Sequence, residues 1–141
     1  MAYLSNALKT QLRTHFSYAC AYCHSPEFLS NAIFEFDHIL PEASGGDSIF
    51  ENLCFCCPKC NSYKREAVED VDSETNQLTR LFHPHEDVWN EHFAWSENKI
   101  TLIGKTVVGR VTISCLKINA PERVALRQVW VEFKRFPPEM N

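Results

Sequence analysis

Seven cysteines stand in this chain of 141 residues, and six of them fall into two short clusters. The first is Cys20-Ala21-Tyr22-Cys23, and the second runs Cys54-Phe55-Cys56-Cys57-Pro58-Lys59-Cys60. A two-residue gap lets both thiolates of a pair reach one ion at ~2.3 Å, so two such pairs meet the ligand count of a structural tetrahedral zinc site. The odd count argues against a disulfide framework. Within the second cluster the spacing admits either Cys54 with Cys57 or Cys57 with Cys60. Pro58 suits the tight turn of a knuckle and favours Cys57 and Cys60, with His24 as a weaker substitute ligand. Cys115 stands alone in an apolar stretch and is expected to be a small buried hydrophobe.

Between and beside these pairs lie Asp37-His38, Asn52 and Asn61. Zinc would bring Asn61, which directly follows Cys60, back towards the segment carrying Asp37 and His38. A carboxylate and an amide oxygen are hard ligands suited to a magnesium-type ion. A histidine beside such an ion is placed to take a proton from water, because its ordinary pKa lies near neutrality.

The elements that must position these groups follow from pattern. Leu4, Leu8, Leu12 and Phe16 recur at helical spacing over 4–16, with Ser5 available as a cap. Residues 32–38 read as a short, partly buried strand, and 41–52 as a loop whose Gly45-Gly46 pair allows unusual backbone geometry. Helical character runs from Pro58 or Lys59 to about Val68, and the acidic stretch 69–79 reads as a linker. Trp89 and Phe93 suit a short helix and 99–103 a strand, while 105–118 fits either class; 121–134 reads as a helix opening on Pro121 with a Val124–Phe133 core stripe. Trp89, Phe93 and Trp95 are expected to pack as a satellite core rather than to stack on bases. His83-Pro84-His85 with His92 lacks the company of further ligands, so a second metal site there is not expected.

Hydrophobic residues at 45% and charged residues at 23% describe a chain able to bury a core. No apolar run approaches the ~18 residues of a membrane span, and the N-terminal stretch carries charge where a secretory leader would be apolar. A cytoplasmic protein without membrane contact is the expectation. The net charge of −4 argues against bulk electrostatic coating of nucleic acid. Residues 99–135, however, hold eight basic residues against Glu122 and Glu132, and form the best candidate for a polyanion-binding face.

The motif string Cys20-x2-Cys23, Asp37-His38-Ile39-x-Pro41, Gly45-Gly46, Asn52-Leu53, Cys57-x2-Cys60-Asn61 and Lys64 resembles the zinc-containing branch of the HNH endonucleases. It spans residues 20–64 and departs from the family name only in its final Asn, a common variant of that branch. The resemblance settles the zinc ligands on Cys20, Cys23, Cys57 and Cys60, leaving Cys54 and Cys56 as packing residues. It implies an α+β fold: a ββα-metal, His-Me finger-like core with structural zinc, an N-terminal helix before it and a mixed C-terminal region ending in a helix. One domain over 1–141 is expected, with the motif core at 17–68 and a C-terminal extension at 80–136. The implied activity is hydrolysis of phosphodiester bonds in nucleic acid, with DNA the first expectation and RNA open. His38 would be the general base, Asp37 and Asn61 would hold a catalytic Mg²⁺ or Mn²⁺, and Asn52 would brace the loop. Lys64 would contact a phosphate or lie solvated. The rival reading is a zinc-knuckle module that binds nucleic acid or protein without cutting; it needs only the cysteines, whereas Asp37, His38 and Asn61 together favour the enzyme.

Overall fold

The computed structural model describes residues 3–141. Helix α1 (Asn6–His15) starts at Ser5, whose hydroxyl accepts the Leu8 N–H, and buries Leu12. A short helix α2 (Glu27–Ser30) follows the first cysteine pair. Strand β1 (Glu35–His38) then pairs antiparallel with β2 (Leu53–Cys56), with Asp37 opposite Cys54 and His38 opposite Leu53. All four residues of β2 are buried, since α1 packs against this strand. Helix α3 (Pro58–Lys64) leaves β2 directly and packs on β1.

The connection between β1 and β2 holds two single turns of 3₁₀ helix, Glu42–Ser44 and Phe50–Asn52. Its two glycines act differently. Gly45 takes φ of 92°, which a side chain would resist. At Gly46 a Cβ would come within 1.8 Å of the Leu40 carbonyl oxygen, so the close approach of the two loop limbs excludes any side chain.

The acidic stretch expected to be a linker is instead a hairpin: β3 (Glu69–Val71) pairs with β4 (Leu78–Arg80). The physical reason lies in Asp72. Its carboxylate accepts from the Thr75 N–H and hydroxyl, closing the turn, and meets the Arg110 guanidinium at 3.1 Å. A polar turn reads as linker composition until its partner, 38 residues away, is placed.

Helix α4 (Trp89–His92) leads into β5 (Phe93–Trp95), which pairs with β6 (Leu102–Gly104). The ambiguous segment is helix α5 (Val107–Cys115), capped by the Thr106 hydroxyl accepting the Gly109 N–H. Packing against β6 and the β3–β4 hairpin decides for helix despite the β-branched residues. Helix α6 (Pro121–Glu132) carries Pro at its first turn as expected.

Its buried face, however, keeps only part of the apolar stripe. Leu126, Val129 and Phe133 are exposed, and the face turned inward is Arg123, Arg127 and Trp130. Arg127 donates to the Ile100 and Ile118 carbonyls and to Asn119, which makes an interior guanidinium tolerable. Phe93 belongs to the core, Trp89 stacks on His24 at 3.9 Å and Trp95 packs on Phe136, so these aromatics serve packing. Among the described residues no helix is long and apolar enough to cross a membrane.

Candidate active site and metal centre

Both cysteine pairs are set at chain reversals. In the first, the His24 N–H donates to the Cys20 carbonyl at 2.9 Å and the Ala21 N–H donates to Phe55 on β2. In the second, Cys57 is the N-cap of α3: its sulfur accepts the Cys60 N–H at 3.4 Å, and Pro58 fills the first helical position, where no N–H is needed. Strand β2 and α3 thus deliver Cys57 and Cys60 to the Cys20–Cys23 turn.

The ligand atoms of Cys20, Cys23, Cys57 and Cys60 lie within 4.8 Å of one another, all four buried. A tetrahedral ion with Zn–S bonds of ~2.3 Å requires sulfurs about 3.8 Å apart. Cys23 and Cys57 stand at 3.7 Å. The cluster therefore fits zinc in number, chemistry and spacing. Burial pushes the Cys20 and Cys60 thiols up, whereas hydrogen bonds from neighbouring thiols hold Cys23 well down. Four thiolates in so dry a site call for a cation. His24 stays outside the cluster, stacked on Trp89, with burial lowering its pKa to about 4. Cys54 and Cys56 occupy β2, where Cys54 lies 3.8 Å from the Tyr22 hydroxyl, and Cys115 is partly buried with its thiol raised to about 11 by burial.

The second constellation is built where α3 crosses β1. Alternation puts Glu35 and Asp37 on one face of the strand, and a three-residue step puts Asn61 and Lys64 on one face of the helix. The two faces meet as two rungs. Asn61 Nδ2 donates to Glu35 Oε2, and Lys64 Nζ sits 2.9 Å from Asp37 Oδ2. Burial raises the Asp37 pKa, and Lys64 offsets part of that rise. Lys64 is only 2% exposed, so it is neither solvated nor aimed outward.

His38 ends β1. Its Nε2 lies 2.8 Å from the Ser48 hydroxyl and its Nδ1 lies 3.9 Å from Glu42 Oε1. Both partners sit on the glycine loop, and Asn52 ties that loop shut. Its amide oxygen accepts the Leu40 N–H, and its amide nitrogen donates to the Leu40 and Asp47 carbonyls. Two residues of this neighbourhood escaped the sequence reading. Glu35 shares a strand face with Asp37, a signal that period two makes available; Ser48 gives no sequence signal, because only the loop closure brings it to His38.

Among the described residues the four cysteines are the only cluster of His, Cys, Asp and Glu close enough to hold a metal. His83, His85 and His92 are engaged elsewhere. His83 accepts the backbone N–H groups of His85 and Glu86, His85 bonds the Leu53 carbonyl and His92 pairs with Thr106.

The basic stretch 99–135 is partly engaged within the fold, while Lys99, Lys105, Lys117, Lys134 and Arg135 are exposed. Arg110 pairs with Asp72 and Glu74, Arg127 caps carbonyls, and Lys105 donates to Asn90. Lys117 lies over the Tyr63 ring, and Arg123 reaches the cysteine cluster.

No curated protein and no solved structure matches this chain. A family model does. The model described as HNH endonuclease matches residues 20–75, a segment that holds both cysteine pairs, strands β1 and β2 and all of α3. The segment from Cys20 to Thr75 is thus similar to the HNH endonuclease family, to which the motif string pointed.

Proposed function

We propose that this chain is a metal-dependent endonuclease that hydrolyses phosphodiester bonds of DNA, with β1, β2 and α3 as a ββα-metal core. The observation that carries the reading is the crossing of α3 over β1, which gathers Asp37, Asn61 and Glu35 beside the strand end that bears His38. The donor set suits a hard divalent ion: Asp37 and Asn61 would hold it, and such an ion, Mg²⁺ or Mn²⁺, supplies charge stabilisation at the phosphate and the leaving oxygen.

His38 is the proposed general base. In the tautomer whose Nε2–H donates to Ser48, the lone pair is on Nδ1, which would take the proton from the attacking water. Glu42, 3.9 Å from that nitrogen, then steadies the imidazolium. Asn52 holds Leu40 and Asp47 together, and so keeps Ser48 and Glu42 within reach of the ring. Lys64 offsets part of the rise that burial imposes on the Asp37 pKa, and contact with a phosphate requires it to leave that carboxylate.

The test is nicking of supercoiled plasmid with Mg²⁺ or Mn²⁺, wild type beside His38→Ala. A loss of 10²–10⁴-fold is expected for the variant. No nicking by the wild type, or equal nicking by both, overturns the assignment; cleavage of RNA alone moves the substrate class. One observation favours a non-cutting zinc-knuckle module instead: the Asp37 charge already has a partner in Lys64. Nucleic-acid binding without turnover under all of these ions would establish that second reading.

A further inference from the structure

Arg123 is buried, 8% exposed, and among the described residues no carboxylate lies within ion-pair distance of it. A guanidinium removed from water without an anion is costly. Its partners show what meets the charge. One terminal nitrogen donates to Cys60 Sγ at 3.1 Å and reaches Cys57 Sγ at 3.8 Å. The other donates to the Leu116 carbonyl at 2.8 Å and lies 3.3 Å from the Lys117 carbonyl. Those carbonyls end α5, the negative pole of that helix.

Neutral thiols would leave this arrangement undersatisfied. Four thiolates around one Zn²⁺ carry a net charge of about −2, which a buried site must offset from its surroundings. The other contacts to the sulfurs, the Cys60 N–H on Cys57 and the Ser25 hydroxyl 3.1 Å from Cys23, bring dipoles but no charge. Arg123 brings the charge, and it comes from α6, outside the family segment of residues 20–75.

We infer that Arg123 is the counter-charge of the zinc-loaded cysteine cluster, and that through it the metal holds α6, with the end of α5, on the two knuckles. The inference stands apart from the nuclease reading, since it concerns how the metal and the C-terminal helix support each other. Bound zinc would hold the cysteines as thiolates, the anion that Arg123 needs, and Arg123 would in turn slow departure of the metal. The planar fork spans sulfur and carbonyl at once, which a lysine cannot do.

Two measurements on the full chain test this. The first is zinc transfer to a chromophoric chelator for wild type, Arg123→Lys and Arg123→Met, with folding followed by circular dichroism. Release 10–100-fold faster from Arg123→Met is expected, the range for lost outer-shell support of a metal ligand, with Arg123→Lys between the two. Equal release rates overturn the counter-charge role. The second needs no variant: amide exchange over 121–132 in wild type with and without zinc. Protection that falls when zinc is removed is expected, and unchanged protection overturns the docking role. If Arg123→Met does not fold, Arg123→Lys and the exchange experiment still decide.

Discussion

Lys64 Nζ lies 2.9 Å from Asp37 Oδ2 in a site where the lysine side chain is 2% exposed and the aspartate 15%. The pair joins α3 to β1 one helical step beyond the Asn61–Glu35 contact, and so sets the crossing that gathers the proposed active site. Breaking one side of a buried pair strands the other charge. Asp37→Asn and Lys64→Met should therefore each cost about 3 kcal/mol or more, while the double variant recovers much of that loss. Denaturant unfolding of the three variants checks it; additive losses would show the pair to be uncoupled.

Zinc content should separate the cysteines by role. Wild type should keep about one zinc through dialysis, Cys57→Ser and Cys60→Ser should lose it, and Cys54→Ser should retain it. Metal analysis of the dialysed proteins is the readout. Retention by Cys57→Ser would reject the ligand set.

The glycine loop should be rigid because of Asn52 and intolerant at Gly46. Asn52→Ala removes three hydrogen bonds to backbone and should cost about 1–3 kcal/mol. Asn52→Asp keeps the bond from Leu40 N–H and loses both donated bonds, so it should do little better. Gly46→Ala should destabilise as well, since its Cβ would meet the Leu40 carbonyl at 1.8 Å. Thermal unfolding reports all three, and nicking rates should fall in parallel if the loop orients His38.

Neutralising Arg110 should lower thermal stability without changing the salt dependence of nucleic-acid binding. Its charge is engaged by Asp72 and Glu74, so it has little left for phosphate. Binding isotherms over a salt series for Arg110→Met decide it. A shallower salt slope would return this residue to a polyanion-binding face.

Some of the molecule was legible in local pattern because the responsible interactions are local. The α1 cap at Ser5, the two loop glycines, the Pro58 knuckle and the Pro121 helix start all act within a few residues. What failed depended on distant partners. The 69–79 stretch looks like linker because Arg110, which meets its turn, lies 38 residues on. Helix α6 looks as if it buries Leu126 and Val129, yet it buries Arg123 and Arg127, because thiols and free carbonyls wait on the other side.

The order and spacing of Cys20, Cys23, Asp37, His38, Asn52, Cys57, Cys60 and Asn61 were enough by themselves to name a family, since such motifs are short-range geometry written in one dimension. Charge was not readable that way. Composition counts an arginine or a lysine as a surface cation, and only the fold shows which anion it meets. Tertiary structure decided that Lys64 faces Asp37, that Arg123 faces the cysteine sulfurs and that Arg127 turns inward onto backbone carbonyls. Burial makes each of those pairings obligatory, because a charge out of water must find its counterpart inside the protein.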